Sequence, residues 1–215
     1  MKVLVVGANG QIGKHLIQLL NVSEHHSAVA MVRNEEQVAS FKNLGVETTL
    51  ANLESSVDDI AKAATGCQAI VFAAGSGGHT GADKTLLVDL DGAVKTIEAA
   101  EKLGIKRFIM VSALQAHQRE HWSDAIKPYY VAKHYADRML ELSTLTYTII
   151  RPGRLTNDLG TGHIKIGENI LSGEIPREDV ANTIFHSLED DRTFYQAFDL
   201  VSGSVPIQDA FKILS

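Results

Sequence analysis

The chain begins with a short apolar run, Lys2-Val3-Leu4-Val5-Val6, that opens into Gly7-Ala8-Asn9-Gly10-Gln11-Ile12-Gly13. A helical pattern follows at once, with apolar positions Ile12, Leu16, Ile17, Leu19 and Leu20 at mixed three and four spacing. Strand, glycine turn and helix start in this order constrain the fold strongly. The first glycine permits the tight turn, the second lets backbone approach a ligand closely, and the third lets the helix pack hard on the strand. The bare N–H groups and the helix field then favour an anion. A glycine trio alone is a weak signal, because glycines also make ordinary turns. Flanked by a strand and a helix, it makes a pyrophosphate-bearing dinucleotide the leading ligand.

The same alternation continues along the chain. Strands are expected at 28–32, 46–50, 69–73, 107–112, 147–150 and 197–201. Helices are expected at 35–44, 57–64, 85–103, 130–142, 180–188 and 207–214. The strands are continuous apolar runs rather than polar alternations, as when helices cover both faces. The expected fold is a single-domain, three-layer α/β/α Rossmann-like structure with a doubly wound parallel sheet. Right-handed crossovers place all strand-to-helix loops on one carboxyl edge. Residues 151–180 are the least regular stretch and the candidate for a small substrate-side lobe within the domain spanning 1–215.

Composition narrows the partners. Lys+Arg number 20 against Asp+Glu 26, a formal charge of −6, which gives no support to nucleic-acid or anionic-membrane binding. The apolar runs are strand length, so no membrane span is expected. The single cysteine, Cys67, excludes an internal disulfide and a cysteine metal site, and is read as structural. The sequence starts directly on a core strand, so no signal peptide and a cytoplasmic setting are expected. The oligomeric state, monomer or homodimer, is not legible.

Arg33 follows the second strand, where an acidic residue would accept the ribose hydroxyls of NAD. An arginine offers a forked cation to a 2′-phosphate and a plane to stack on adenine, so NADP is favoured, with NAD the alternative. Asn34 adds a neutral donor beside it. Asn52 and Leu53 follow the third strand and can flank the adenine, Asn52 by its amide and Leu53 by covering the ring; Asn52 is equally a turn former.

Further along come Val71-Phe72-Ala73-Ala74-Gly75, Val88-Asp89-Leu90-Asp91-Gly92, Ile97-Glu98-Ala99-Ala100, Gly104-Ile105-Lys106-Arg107-Phe108 and Val111-Ser112. Tyr129-Tyr130-Val131-Ala132-Lys133, Arg151-Pro152-Gly153 and Pro176-Arg177-Glu178-Asp179-Val180-Ala181 complete the series. With the glycine turn, these resemble the atypical short-chain dehydrogenase/reductases, the NAD(P)-dependent epimerase/dehydratase-like or NAD(P)H-binding group, over almost the full length. The resemblance implies a Rossmann-like fold and an NADP or NAD cofactor. It maps the family's tyrosine and lysine onto Tyr129 and Lys133 and its serine onto Ser112. It also places Ala73, Ala74 and Gly75 beside the cofactor, and Pro152 and Gly153 near its nicotinamide. The cofactor-binding set is then Gly7, Asn9, Gly10, Gln11, Ile12, Gly13, Arg33, Asn34, Asn52, Leu53, Ala73, Ala74, Gly75, Lys133, Pro152 and Gly153.

Tyr129 and Lys133, one helical turn apart, share a face. A nearby ammonium is expected to lower the tyrosine pKa, so that the phenol can give a proton to a carbonyl as hydride arrives. Lys133 can also hold the cofactor ribose, and Ser112 can hydrogen-bond the substrate oxygen. No metal is expected: His117 and His121 would face together on a helix, but no acidic ligand joins them. These two histidines and Trp122 are candidates to roof the pocket, and His79 for a substrate contact. Arg151 or Arg154 can meet an anionic substrate, or else pair with Asp158 or Glu178. Arg177-Glu178-Asp179 reads mainly as a helix-start network. The expected activity is hydride transfer to or from a small carbonyl, quinone or flavin-like substrate. The alternatives are a non-catalytic NADP-binding redox sensor and a sugar-nucleotide epimerase/dehydratase, the latter disfavoured by the short stretch after the sixth strand.

Overall fold

The computed structural model describes residues 1–214. Its main sheet has nine strands. Six follow the expected alternation: β1 (Lys2–Val6), β2 (Ser27–Val32), β3 (Glu47–Leu50), β4 (Ala69–Phe72), β5 (Arg107–Val111) and β6 (Thr146–Pro152). They are joined by helices α1 (Gln11–Val22), α2 (Glu35–Lys42) and α3 (Val57–Ala64), then by a continuous helical stretch, and finally by α6 (Lys127–Glu141). The remaining elements are β7 (Arg154–Thr156), β8 (His163–Gly167), β9 (Glu174–Pro176), α7 (Arg177–Ser187), β10 (Gln196–Ser202), β11 (Val205–Pro206) and α8 (Ile207–Ala210), with a short 3-10 turn Phe211–Leu214 after it.

The strand order is β11-β8-β10-β6-β5-β4-β1-β2-β3. Every pairing from β3 to β10 is parallel. The order in which strands are added reverses between β1 and β4, β2 and β3 lying to one side and β4, β5 and β6 to the other, and in such sheets a ligand crevice opens at that switch point. Alternate side chains of β1 serve two cores. Val3 and Val5 point to a layer with α1, α2, α7 and α8; Leu4 and Val6 point to one with α3, α5 (Gly92–Leu103) and α6. All four are fully or nearly fully buried, so the sheet is covered on both faces.

Three expectations are corrected. The sheet is not wholly parallel: β8 runs antiparallel to β10, and β11 antiparallel to β8. Residues 163–167 show the period-two burial of a half-covered strand (Ile164 and Ile166 in, His163 and Lys165 out), a pattern too short and too polar to stand out in the sequence. Second, 151–180 is not simply irregular: β7 and β9 form a separate two-stranded parallel sheet. Third, the single helix expected over 85–103 is composite. A short α4 (Ala82–Lys84) leads into a π-helical stretch, Thr85–Asp91, before α5 (Gly92–Leu103). Widened turns of this kind often accompany functional sites, and this one turns Asp89 inward, 1 % exposed.

Candidate active site

The turn after β1 and the loop after β4 meet at the switch point, and the glycines are what allow it. Gly7 has φ +86°, and a Cβ there would lie 2.6 Å from the Ala74 nitrogen. A Cβ on Gly13 would lie 2.3 Å from the Gly7 carbonyl oxygen. Gly10 donates its N–H to that same oxygen at 2.9 Å, closing the turn. Gly7 and Gly13 therefore act through close packing, while Gly10, Gln11 and Ile12 face a cavity of about 750 Å³. Its opposite side is formed by Ala73, Ala74 and Gly75.

Ser112, Tyr129 and Lys133 line that same cavity. Ser112 directly follows β5, with its N–H held by the Ile150 carbonyl at 2.8 Å. Its hydroxyl is buried and has no hydrogen-bond partner among the described residues. Tyr129 and Lys133 sit in the first turns of α6, which Pro128 helps to start. Lys133 is 3 % exposed. Its ammonium donates to the Val111 carbonyl oxygen at 3.2 Å and lies 3.4 Å from Asp89 Oδ1. Asp89 Oδ2 in turn accepts the Ser76 N–H at 2.9 Å. One turn beyond Lys133, the buried Asp137 pairs with Arg151 at 2.9 Å, while its other oxygen has no hydrogen bond.

The electrostatics differ in sign from the simple expectation. Burial raises the Tyr129 phenol above its ordinary value, and the Lys133 ammonium opposes the rise without overcoming it. Burial works against the Lys133 charge, but Tyr129, Asp89 and Asp137 together outweigh it and hold the ammonium above its ordinary value. Burial likewise pushes the Asp137 carboxyl up, against the pull of Arg151. Tyr129 is thus held as a phenol and Lys133 as an ammonium.

Other expected residues fall into place less uniformly. Arg33 is exposed at the end of β2, its N–H accepted by Gln37 Oε1 at 2.9 Å. Asn34 Oδ1 caps α2 by accepting the Gln37 N–H, and Asn52 Oδ1 accepts the Glu54 N–H in a tight turn; both bonds are 3.0 Å and leave the amide donors exposed. Asn9 is exposed in the glycine turn. Leu53 is a correction: it is buried against Gly92 in the core, where no ring face can reach it. Pro152 and Gly153 are another. They do not line the cavity; Gly153 is pressed against the Gly173 carbonyl and Val201. Leu155 and Arg177 take the lining position expected of that pair.

His117 and His121 do not face together. His117 Nε2 bonds the Glu168 carbonyl at 2.9 Å, and His121 Nδ1 bonds Gln115 Oε1 at 2.6 Å. Trp122 stacks on Tyr130. These contacts brace the β5–α6 connection, and it is Ala125, Ile126 and Pro128 that reach the cavity. His79 is exposed, outside the cavity lining. Arg151 pairs with Asp137 and Glu141, and Arg154 with Glu174, so neither meets Asp158 or Glu178. No group of three or more His, Cys, Asp or Glu side chains able to hold a metal occurs among the described residues. Among them, too, no helix is long and apolar enough to cross a membrane.

The residues present fit a dinucleotide. At Gly7 and Gly13 the turn has no space for side chains, its Gly10–Ile12 stretch lines the cavity, and the same cavity is lined by Tyr129, Lys133 and Ser112, whose buried hydroxyl has no partner among the described residues. Asp89 and Arg177 were not singled out as site residues from the sequence. An acid inside an otherwise apolar run, Leu86-Leu87-Val88-Asp89-Leu90, was the available signal for Asp89.

A Rossmann fold with this cavity defines an NAD(P)-binding protein of the oxidoreductase and epimerase/dehydratase type. The NAD(P)H-binding family model matches residues 7–191, and the chain belongs to that family. It is 60 % identical, over the full length of both, to YhfK of Bacillus subtilis, an uncharacterized sugar epimerase. Among solved structures, a Bacillus halodurans protein provisionally described as an NAD-dependent epimerase/dehydratase superposes with TM-score 0.92. The two are 43 % identical, and the match covers 99 % of each chain. The oxidoreductase ylbE of Lactococcus lactis superposes with TM-score 0.90 at 36 % identity, covering 100 % of this chain and 96 % of that one.

Proposed function

We propose that this chain is an NADP-dependent reductase acting on a small carbonyl, quinone or flavin-like substrate. One observation carries the reading: Ser112, Tyr129 and Lys133 line the same cavity as Gly10, Gln11 and Ala73–Gly75. Gly10, Gln11, Ile12 and Ala73–Gly75 would hold the phosphates and ribose, Arg33 the 2′-phosphate and Lys133 the second ribose. The bound nicotinamide supplies the hydride.

The chain's residues do the rest. The Ser112 hydroxyl, without a hydrogen-bond partner among the described residues, donates a hydrogen bond to the substrate oxygen. Tyr129, kept protonated by its surroundings, passes its phenolic proton to that oxygen as the carbon gains hydride. Lys133 stabilises the phenolate left behind, and Asp89 fixes the ammonium in place. In the reverse direction the phenolate takes the proton back from the alcohol. Leu155 of β7 and Arg177, which follows β9 at the start of α7, serve as the substrate-side segment. YhfK is named a sugar epimerase, and an epimerase would use the same three residues on a sugar nucleotide. The separate β7–β9 sheet, two strands of three residues each, favours a smaller substrate.

NADPH oxidation by the full chain is the test, using a panel of aldehydes, ketones, quinones and flavins. Turnover that vanishes in Tyr129→Phe supports the reading. Tight NADPH binding with no turnover of any class favours the redox-sensor alternative.

A further inference from the structure

Three arginines, Arg151, Arg154 and Arg177, lie at the end of β6 or follow it along the chain, and two of them are neutralised. Arg151 is buried against Asp137, and Arg154 is paired with Glu174. Arg177 differs. It is the first residue of α7, half-buried, and lines the main cavity together with Gln11. Its only hydrogen bond is to a neutral group, Asn157 Oδ1, at 2.7 Å, and it has no ion-pair partner among the described residues.

Two acids follow it directly, and both are engaged elsewhere. Glu178 Oε2 accepts the Gly160 N–H at 2.7 Å. Asp179, fully buried, accepts the N–H groups of Thr161 and Gly162, each at 2.9 Å. These acids tie down the 160–162 loop and leave the guanidinium beside them unneutralised. Arg177 also forms the wall shared with a second cavity of about 350 Å³. There Lys14 and His15 of α1 face it, with Asp158 the only carboxylate besides Glu178. An unpaired fork of donors at a cavity wall suits bidentate capture of a carboxylate.

We propose that Arg177 reads an anionic group on the substrate, so that the natural substrate is a carbonyl compound or quinone bearing a carboxylate. This rests on the reductase reading above only for the reacting carbonyl. The carboxylate subsite is a binding property and is testable without turnover. The chemistry of Arg177 would equally suit a cofactor phosphate, and the experiment separates the two sources.

The full chain is saturated with NADP⁺ and titrated calorimetrically with a naphthoquinone carboxylate and with its uncharged primary amide. The expected result is about tenfold or more tighter binding of the carboxylate. Arg177→Gln should abolish that preference and Arg177→Lys should keep part of it, with melting temperatures near wild type and NADP⁺ affinity within about twofold. Equal affinity for the two probes in the wild type, or no measurable binding of either, overturns the proposal. So does a loss in Arg177→Gln that falls on NADP⁺ instead, which would assign the guanidinium to the cofactor phosphates. The same probes are then offered with NADPH. Selective binding without oxidation would sink the reductase reading and leave the anion subsite standing; oxidation of both without preference would do the reverse.

Discussion

The Lys133 ammonium and the Asp89 carboxylate face each other at 3.4 Å with side chains only 4 % and 1 % exposed. The pair links four pieces of the site. Lys133 belongs to α6 and bonds the last carbonyl of β5; Asp89 belongs to the π-helical stretch and holds the loop after β4 through the Ser76 N–H. Removing one partner leaves a buried charge without compensation, a loss of about 3–5 kcal/mol. Asp89→Ala should therefore lower the melting temperature markedly. Asp89→Asn keeps an acceptor for Ser76 and should cost less stability, yet lose about tenfold or more in kcat because the ammonium is no longer anchored. Equal kcat in wild type and Asp89→Asn would separate this pair from catalysis.

Tyr129→Phe should reduce kcat by about 10²- to 10⁴-fold, the usual contribution of a positioned proton donor, with little change in NADPH affinity. The pH dependence follows from the direction of the shift. Burial raises the phenol above its ordinary value near 10, so the acid form persists across neutral pH. Reduction should be flat through that range and fall only at or above the ordinary tyrosine value. Alcohol oxidation, which needs the phenolate, should rise over the same limb. A reduction rate that declines between about pH 6 and 8 would contradict this assignment.

The glycine turn predicts a stability effect as well as a binding effect. Alanine at position 7 must adopt φ +86° and place a Cβ 2.6 Å from backbone that cannot move independently. The left-handed conformation alone costs about 1–2 kcal/mol, and the clash adds to it by forcing β1 and β4 loops apart. Gly7→Ala should lower the melting temperature and abolish NADPH binding together. Gly10→Ala meets only one contact, at 3.1 Å, and should fold while binding the cofactor less well.

What the sequence revealed and what it concealed have separable physical causes. The central strands were legible because they are covered on both faces and so carry unbroken apolar runs. The glycine turn was legible because sterics admit no other residue at Gly7 and Gly13. Ser112, Tyr129 and Lys133 were placed by resemblance, and their convergence required the fold. The antiparallel strand 163–167 was concealed by its short polar alternation. The interrupted helix before Gly92 was concealed because a π-helical stretch keeps helical composition while rotating Asp89 inward. Leu53 was misread because a loop leucine beside a ligand and one plugged against Gly92 have the same sequence signature. The sign of the Tyr129 shift depended on how deeply the ring is enclosed, which spacing to Lys133 does not encode.

Arg33 decides between the two dinucleotides. Its side chain is exposed at the carboxyl end of β2, the position from which a Rossmann fold reads the ribose 2′ group. The local backbone is fixed independently of the guanidinium, by Gln37 accepting the Arg33 N–H and Asn34 capping α2. Arg33→Ala should therefore leave the fold and melting temperature unchanged. A charge-assisted contact to phosphate contributes about 1.5–3 kcal/mol, so NADPH affinity should fall about ten- to hundredfold. NADH affinity should change by no more than about twofold, because that cofactor presents hydroxyls the guanidinium engages weakly. Dissociation constants for both cofactors, measured by fluorescence on wild type and variant, give the answer directly. Equal losses for the two would assign Arg33 to adenine stacking rather than to the 2′-phosphate.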